Sequence, residues 1–197
     1  RSYDAGEAWH VLDTRYEVVI TKGKTEDLAG MDLSRYNVIV LPDGYYSGIS
    51  SRGVENLQTW VSQGGTLIGM QGALSWMNRN GLGSVTFTSN NDGDEEPTPR
   101  RPYAKLSRDR GGAVVGGSIF NTEVDLTHPL LYGFYRENLP VFRAGTRTME
   151  PAENPYATPV LYTDAPLLSG YINKENLENL GGKAAVIVSG RGRGKVI

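Results

Sequence analysis

The sequence predicts an α/β protein with an open, mostly parallel sheet flanked by helices and a β-rich C-terminal part. Short β-branched runs alternate with a helical pattern between residues 17 and 70, and further β-type runs follow residue 113. Alternating strands and helices are typical of a parallel sheet, because each crossover helix covers one face of it. Hydrophobic residues make up 39% of the chain and charged residues 21%, which is enough apolar material for a packed core.

The N-terminal part predicts one helix and two strands. Asp4 and Glu7 have the spacing of an N-terminal capping box. The apolar residues Ala5, Ala8, Trp9 and Leu12 recur at helical intervals, so a helix is predicted over about residues 4–15. Residues 17–21 (EVVIT) and 37–41 (NVIVL) are β-branched runs. Both are predicted to be buried parallel strands.

A second helix and a third strand complete the alternation. An apolar helical stripe comprises Val54, Leu57, Trp60 and Val61. It ends at Gly64 and Gly65, a pair typical of a helix C-terminus. Residues 66–70 (TLIGM) then predict a strand.

The regular pattern breaks after Trp76, and we expect a loop insertion over about residues 78–112. Its charged part, residues 92–101, changes sign midway and is typical of a solvated loop. The rest of the chain is β-rich, apart from a short helix predicted over residues 174–180. The final run, 184–197, predicts two strands around a glycine-rich turn.

Composition excludes several function classes. Lys and Arg number 20 against 22 Asp and Glu, a net charge of −2, so the basic footprint of a nucleic-acid-binding protein is absent. No apolar run approaches the roughly 20 residues that span a bilayer, so no membrane span is expected. Because the chain has no cysteine, it has no disulfide, thiolate ligand or cysteine nucleophile.

The length of 197 residues fits a single domain, residues 1–197. The chain begins at Arg1 without an initiator methionine and stops at Ile197 within a predicted strand. Open α/β sheets usually begin with a strand, whereas the first element here is a helix. We therefore expect a fragment of a longer polypeptide, with a strand preceding Arg1.

The most informative segment for function is 67–76 (LIGMQGALSW), where an apolar strand passes into a helix through small residues. In α/β folds such a turn presents one side chain at the carboxyl edge of the sheet, beside the N–H groups of the following helix. Gln71 occupies that position. Its amide can form hydrogen bonds with a ligand but cannot form an acyl intermediate.

Residues 69–73 (GMQGA) resemble a degenerate form of the G-x-C-x-G elbow of type 1 glutamine amidotransferase-like domains. Gln71 replaces the cysteine, and Ala73 replaces the last glycine. The resemblance implies a flavodoxin-like, class I glutamine amidotransferase-like sheet in a pseudoenzyme domain without catalytic residues.

Longer blocks resemble, more specifically, the amidotransferase-like domain that follows the catalytic domain of certain bacterial zinc carboxypeptidases. The blocks are SYDAGEAWHVLDTRY, DLSRYNVIVLPDG, RPYAKLSRDRGG, VDLTHPLLYGF and NPYATPVLYT, and the likeness covers most of the chain. It implies a non-catalytic accessory domain whose partner is a metallopeptidase domain on the same polypeptide. It further implies that zinc lies only on that domain, that this chain holds no cofactor, and that the protein is exported to the periplasm or the extracellular space.

The residues that would complete a triad or a zinc site are missing from their expected places. An amidotransferase needs a late histidine and glutamate. His128 lies in a T-H-P-L turn before the last hairpin, and His10 lies on the first helix. His10 and Asp13 have a spacing superficially like the H-x-x-E of zinc carboxypeptidases, but no general-base glutamate accompanies them, so no metal site is predicted. A hydrolytic site around either histidine is the least favoured hypothesis.

Two further motifs fail on spacing. The glycine-rich segment 189–196 (SGRGRGKV) has Ser189 where a phosphate-binding loop needs glycine and Val196 where it needs serine or threonine. A hairpin turn is the better interpretation. The acidic segment 90–96 lacks the alternating ligand spacing of an EF-hand, which leaves calcium a weak option.

A ligand pocket without a catalyst is the remaining candidate site. The candidates are the residues that follow two parallel strands, where open α/β sheets place ligands: Asp43, Gly44, Tyr45, Gln71 and Gly72. The alternative, which we favour, is that they are ordinary turn residues. A small polar ligand or a glycan would fit the pocket. An exposed aromatic surface for a domain or a glycan is also predicted, formed by Tyr45, Tyr46, Tyr132 and Tyr135.

Overall fold

The computed structural model describes residues 3–88 and 100–197. Contacts divide the chain into two compact units, which are described separately. The first unit runs from the N-terminus to Ser84 and includes Val188–Ile197, and the second unit is Val85–Ile187. Within the described residues, no helix has both the length and the apolar character needed to cross a membrane.

The helices of the first unit are α1 (Tyr3–His10), α2 (Ser51–Ser62) and α3 (Gly72–Arg79). The chain continues from α1 into a π-helical turn over Val11–Arg15, so the helical segment that was predicted to extend to Arg15 is confirmed. A capping interaction starts α2, since the Ser50 hydroxyl accepts a hydrogen bond from the Gly53 N–H at 3.3 Å.

The sheet of the first unit consists of the strands β1 (Val38–Leu41), β2 (Thr66–Gly69), β7 (Ser189–Arg191) and β8 (Gly194–Val196). Their order in the sheet is β1-β2-β8-β7. The pairs β1–β2 and β2–β8 are parallel, and β7 is antiparallel to β8. The open, mostly parallel sheet flanked by helices is thus confirmed.

The strand predicted over residues 17–21 is wrong. The segment is irregular, Glu17 has a φ of 54°, and the side chain of Val19 is 96% exposed. β-branched residues favour a strand only when a neighbouring strand pairs with their backbone. In the described parts of the chain, these residues have no such neighbour.

The core of the first unit lies between α2, α3 and the sheet. Leu57, Val61 and Leu67 are completely buried there, and Met77 is 1% exposed. The indole N–H of Trp60 donates to the Tyr36 carbonyl oxygen at 3.0 Å, which satisfies the polar atom of this largely buried ring. The apolar stripe read from the sequence therefore faces the sheet.

The glycine-rich segment forms the hairpin β7–β8, and the prediction of a hairpin turn in place of a phosphate loop is confirmed. Gly192 has a φ of +60° at the turn. A Cβ atom on Gly194 would collide with the carbonyl oxygens of Val61 and Gly65. Glycine is required here because the hairpin backbone touches the end of α2.

The second unit is built on an antiparallel sheet, and its strands and helices are β3 (Ser118–Val124), β4 (Asn138–Arg143), β5 (Val160–Ser169), β6 (Ala184–Val186), α4 (Leu106–Ala113) and α5 (Lys174–Glu178). The strand order is β4-β3-β5-β6. Core side chains come from alternate positions of β3, where Phe120, Thr122 and Val124 are buried. This β-rich C-terminal part confirms the prediction for that half of the chain.

Two details of the C-terminal half differ from the sequence-based expectation. The run 184–197 forms three strands, because β6 pairs with β5 while β7 and β8 join the sheet of the first unit. The segment expected as an insertion at 78–112 is partly helical, because its last residues, 106–112, belong to α4. The acidic segment considered for calcium, 90–96, lies outside the described residues.

The close approach at Gly194 leads to the first prediction. Gly194→Ala should lower the free energy of unfolding by about 2–3 kcal/mol, because the new methyl group meets backbone carbonyls that cannot move aside. Gly190→Ala is the matched control. A Cβ at Gly190 on β7 meets nothing within 4 Å, and the expected change is within about 0.5 kcal/mol. Urea unfolding of both variants measures the difference, and equal midpoints would contradict the geometry.

Candidate functional site

The elbow between β2 and α3 is the centre of the candidate site. Gln71 follows β2 and precedes the first residue of α3, with φ 48° and ψ −111°. A non-glycine residue in this region of backbone space costs on the order of 1–3 kcal/mol. This strained strand-to-helix turn is the conformation that presents a nucleophile in α/β hydrolases, and here it carries an exposed glutamine.

The first N–H of α3 is already occupied. The Gly72 N–H donates a hydrogen bond to Oδ1 of Asp43 at 2.9 Å. A Cβ on Gly72 would lie 2.6 Å from the same oxygen, so glycine permits the carboxylate to approach. A carboxylate at a helix N-terminus is stabilised by the helix dipole. In acyl transfer this N–H would instead bind the oxyanion, so Asp43 fills the position that catalysis would need.

The side chain of Gln71 is held by α1. Its Nε2 donates to Oδ2 of Asp4 at 3.2 Å. Sequence analysis placed Asp4 in a capping box, but α1 begins at Tyr3 and the carboxylate points to the elbow instead. No local pattern could reveal this pair, because 67 residues separate its members.

Tyr46 is a second residue that sequence analysis placed wrongly. It was grouped with exposed tyrosines, yet it is only 9% exposed, whereas its neighbour Tyr45 is 100% exposed. The Tyr46 hydroxyl donates to the Pro42 carbonyl oxygen at 2.5 Å, and its ring centroid lies 5.7 Å from that of Trp76. Burial, reinforced by the negative charge of Asp43, raises the pKa of Tyr46 to about 12.

The structure places four of the five candidate residues at the carboxyl edge of the first unit's sheet. Asp43 and Gly44 follow β1, and Gln71 and Gly72 follow β2. A Cβ atom on Gly44 would lie 3.7 Å from the Tyr46 ring, which is an ordinary van der Waals distance. Tyr45 extends into solvent. The cluster therefore presents the amide of Gln71 and the carboxylate of Asp43. The exposed Tyr45 lies two residues after Asp43 in the chain.

Both histidines have local structural partners. Nδ1 of His10 lies 3.0 Å from the Thr14 hydroxyl on the same helical segment. Nδ1 of His128 accepts a hydrogen bond from the Leu130 N–H at 3.2 Å and caps the 3-10 turn Pro129–Leu131. Across residues 3–88 and 100–197, no group of three or more His, Cys, Asp or Glu side chains is arranged to hold a metal ion.

The fold of this chain is similar to that of two solved structures. The chain matches a ThuA-like protein from Bacteroides uniformis ATCC 8492 with a TM-score of 0.54 and 14% identity, over 99% of this chain and 73% of that one. It matches a ThuA-like protein from Parabacteroides merdae ATCC 43184 with a TM-score of 0.52 and 16% identity, over 98% of this chain and 72% of the other. No family model and no curated protein matches the chain.

These neighbours define the class of the fold, which is glutamine amidotransferase-like. The specific resemblance to the accessory domain of zinc carboxypeptidases is wrong, because the structural neighbours are ThuA-like proteins. The expectations of a peptidase partner domain and of export were drawn from that resemblance and lose their support with it. The short sequence blocks that suggested this resemblance were too general to distinguish one group of glutamine amidotransferase-like proteins from another.

The raised pKa of Tyr46 leads to a prediction about alkaline pH. In the unfolded chain the pKa of a tyrosine is about 10. Since folding favours the neutral phenol, the contribution of Tyr46 to stability is complete below that pH and is lost as the pH rises from about 10 to about 12. Urea unfolding across this range should show a smaller loss of stability in Tyr46→Phe than in the parent chain.

Some slope should remain in Tyr46→Phe, because burial also raises the pKa of Tyr162 in the second unit. Tyr45→Phe is the matched control, since that side chain is fully exposed. Identical pH profiles for the parent chain and Tyr46→Phe would contradict the assignment.

Proposed function

We propose that this chain is a non-catalytic domain with a glutamine amidotransferase-like fold, in which the elbow serves as a structural junction. The observation that carries the proposal is that both catalytic positions of the elbow, the nucleophile and the oxyanion donor, are taken by other groups. An amide stands at the nucleophile position, and a carboxylate takes the first N–H of α3. An elbow in this state has neither the nucleophile nor the oxyanion donor of acyl transfer.

Charge supports the same proposal. An oxyanion that developed beside Gly72 N–H would face the Asp43 carboxylate, which is held 2.9 Å from that nitrogen. Like charges at such a distance repel, so the site opposes a tetrahedral intermediate. The role that fits these contacts is to hold α1, β1 and β2 in one arrangement through Asp4, Asp43 and the elbow.

The test introduces a cysteine nucleophile at the elbow. Gln71→Cys should show no glutaminase, amidase or esterase activity and no acyl adduct by mass spectrometry, because Asp43 still occupies the Gly72 N–H. Gln71→Ala is the matched control, because alanine carries no nucleophile. Thermal unfolding of each variant verifies that it is folded.

Two results would contradict the proposal. One is hydrolysis by the parent chain. The other is hydrolysis by Gln71→Cys that disappears when His10 or His128 is changed to alanine, since it would assign a histidine to proton transfer.

A second candidate function is the binding of a small polar ligand at the Gln71 edge. It is favoured by the exposure of Gln71 and Tyr45 and by the chemistry beside them, since an amide and a carboxylate can together donate and accept hydrogen bonds. A ligand would replace the 3.2 Å contact between Gln71 and Asp4 with its own polar groups. Sugars, amino acids and carboxamides are the classes that fit.

Thermal shift separates the two candidates. A ligand at about 100 times its Kd should stabilise the parent chain by about 2.7 kcal/mol and should have no effect on Gln71→Ala. Ser47→Ala is a control at an exposed position in the loop between β1 and α2. If no sugar, amino acid or carboxamide shifts the parent chain, the binding candidate fails and the structural one stands. An equal shift in Gln71→Ala would place the ligand elsewhere.

A further inference from the structure

A groove on the surface of the first unit lies between α2 and the chain segment 29–32. Its volume is about 420 Å³, and small-molecule sites typically measure about 300–1,000 Å³. The residues that line it from α2 are Arg52, Glu55, Asn56 and Thr59. Their spacing of three, four and seven residues places them on one stripe of the helix, and every member of that stripe is polar.

The wall opposite α2 is held in place by Asn56. Its Nδ2 atom donates hydrogen bonds to the carbonyl oxygens of Leu28 and Met31, at 2.8 and 3.0 Å. Leu28 is 8% exposed and anchors the wall in the core of the unit. Because both amide hydrogens of Asn56 are used for the wall, the shape of the groove does not depend on a ligand.

Three charged side chains line the groove. Arg52 and Glu55 come from α2, and Asp32 comes from the facing segment. The Ser34 hydroxyl and N–H donate to Oδ1 of Asp32 at 2.6 and 3.1 Å, and these bonds lower the pKa of Asp32. Its carboxylate is therefore ionised at neutral pH. One positive and two negative charges give the groove a net charge of −1.

These charges do not neutralise one another. Arg52 and Glu55 are three residues apart on α2, a spacing that permits an ion pair. Among the residues that the structure describes, however, neither of them nor Asp32 has an ion-pair partner within 4 Å. All three charges are thus available to a ligand.

We propose that this groove binds a free basic amino acid, such as lysine or arginine. The Arg52 guanidinium binds the α-carboxylate, and Glu55 binds the α-ammonium group. The Cβ atoms of residues three apart on a helix are separated by about 5–6 Å, which suits two adjacent charged groups of one small molecule. Asp32 binds the cation at the end of the ligand's side chain.

The apolar part of the ligand also has a place in the groove. Met31 lines the groove and packs against the core of the unit, so its side chain offers a fixed apolar surface. The methylene groups of lysine or arginine lie on this surface while the terminal cation reaches Asp32. The inference does not depend on the proposed function, because no residue of the elbow lines the groove.

Charge distinguishes basic amino acids from other small molecules. A basic amino acid carries a net charge of +1 at neutral pH and balances the charge of the groove. An acidic amino acid brings a further negative charge towards Asp32 and Glu55. Cadaverine, which is lysine without its carboxylate, leaves Arg52 unpaired.

The test is a titration of the whole chain with L-lysine, followed by the NMR chemical shifts of backbone amides. Lysine and arginine should shift the amides of Gly30 and Met31, which line the groove, with a Kd of about 1 mM or lower. L-glutamate and cadaverine should bind about tenfold more weakly, since a hydrogen bond to a charged group is worth about that factor.

Two variants remove one charge each. Arg52→Gln and Asp32→Asn should raise the Kd for lysine about tenfold. Asparagine also accepts hydrogen bonds, so the contact with Ser34 is kept. Asp27→Asn is the matched control, because it removes a charge from an exposed position outside the groove, and the Kd should stay within about twofold. Arg52→Gln should not weaken cadaverine, which lacks the group that Arg52 binds.

Several results would overturn the proposal. One is the absence of shifts at Gly30 and Met31 with lysine at about 10 mM, ten times the expected Kd. Equal binding of glutamate, or an equal loss in Asp27→Asn and Asp32→Asn, would reduce the effect to general attraction by an acidic protein. Gln71→Ala should leave lysine binding unchanged, and a loss in that variant would assign the ligand to the elbow instead.

Discussion

The contact on which the first unit depends is the approach of the C-terminal hairpin to the end of α2. The N–H groups of Arg193 and Lys195 donate to the carbonyl oxygens of Ser62 and Gly65, and only a residue without a side chain fits at Gly194. This approach places β8 beside β2, although β8 lies some 130 residues later in the chain. With β8 on one side and β1 on the other, β2 is fixed, and the elbow at its carboxyl end is fixed with it.

The elbow shows how a fold can keep its geometry while its chemistry changes. Gln71 retains the strained backbone that would expose a nucleophile, at a cost on the order of 1–3 kcal/mol. That strain is offset by contacts formed with Asp4 and Asp43, which hold the side chain and the following N–H. The backbone conformation is a property of the sheet and helix it joins, whereas reactivity depends on one side chain, so the fold alone does not define the function.

Local pattern was reliable where an element depends on its own residues. The stripe of Leu57 and Val61 predicted α2, because one helical face is sufficient to define a helix that packs on a sheet. It failed for residues 17–21, because a strand exists only where another strand pairs with it. Tyr46 was misjudged for a similar reason, since its burial comes from Trp76, which lies 30 residues away on α3.

The sequence by itself determined that cysteine chemistry is absent, that strands and helices alternate, and that Gln71 stands where a strand turns into a helix. Each of these depends on residue identity or on short-range spacing. Only the tertiary structure decided that Asp4 binds Gln71 and that Asp43 occupies the Gly72 N–H. Those contacts join residues far apart in the chain, and their geometry follows from how the sheet assembles, which no local pattern encodes.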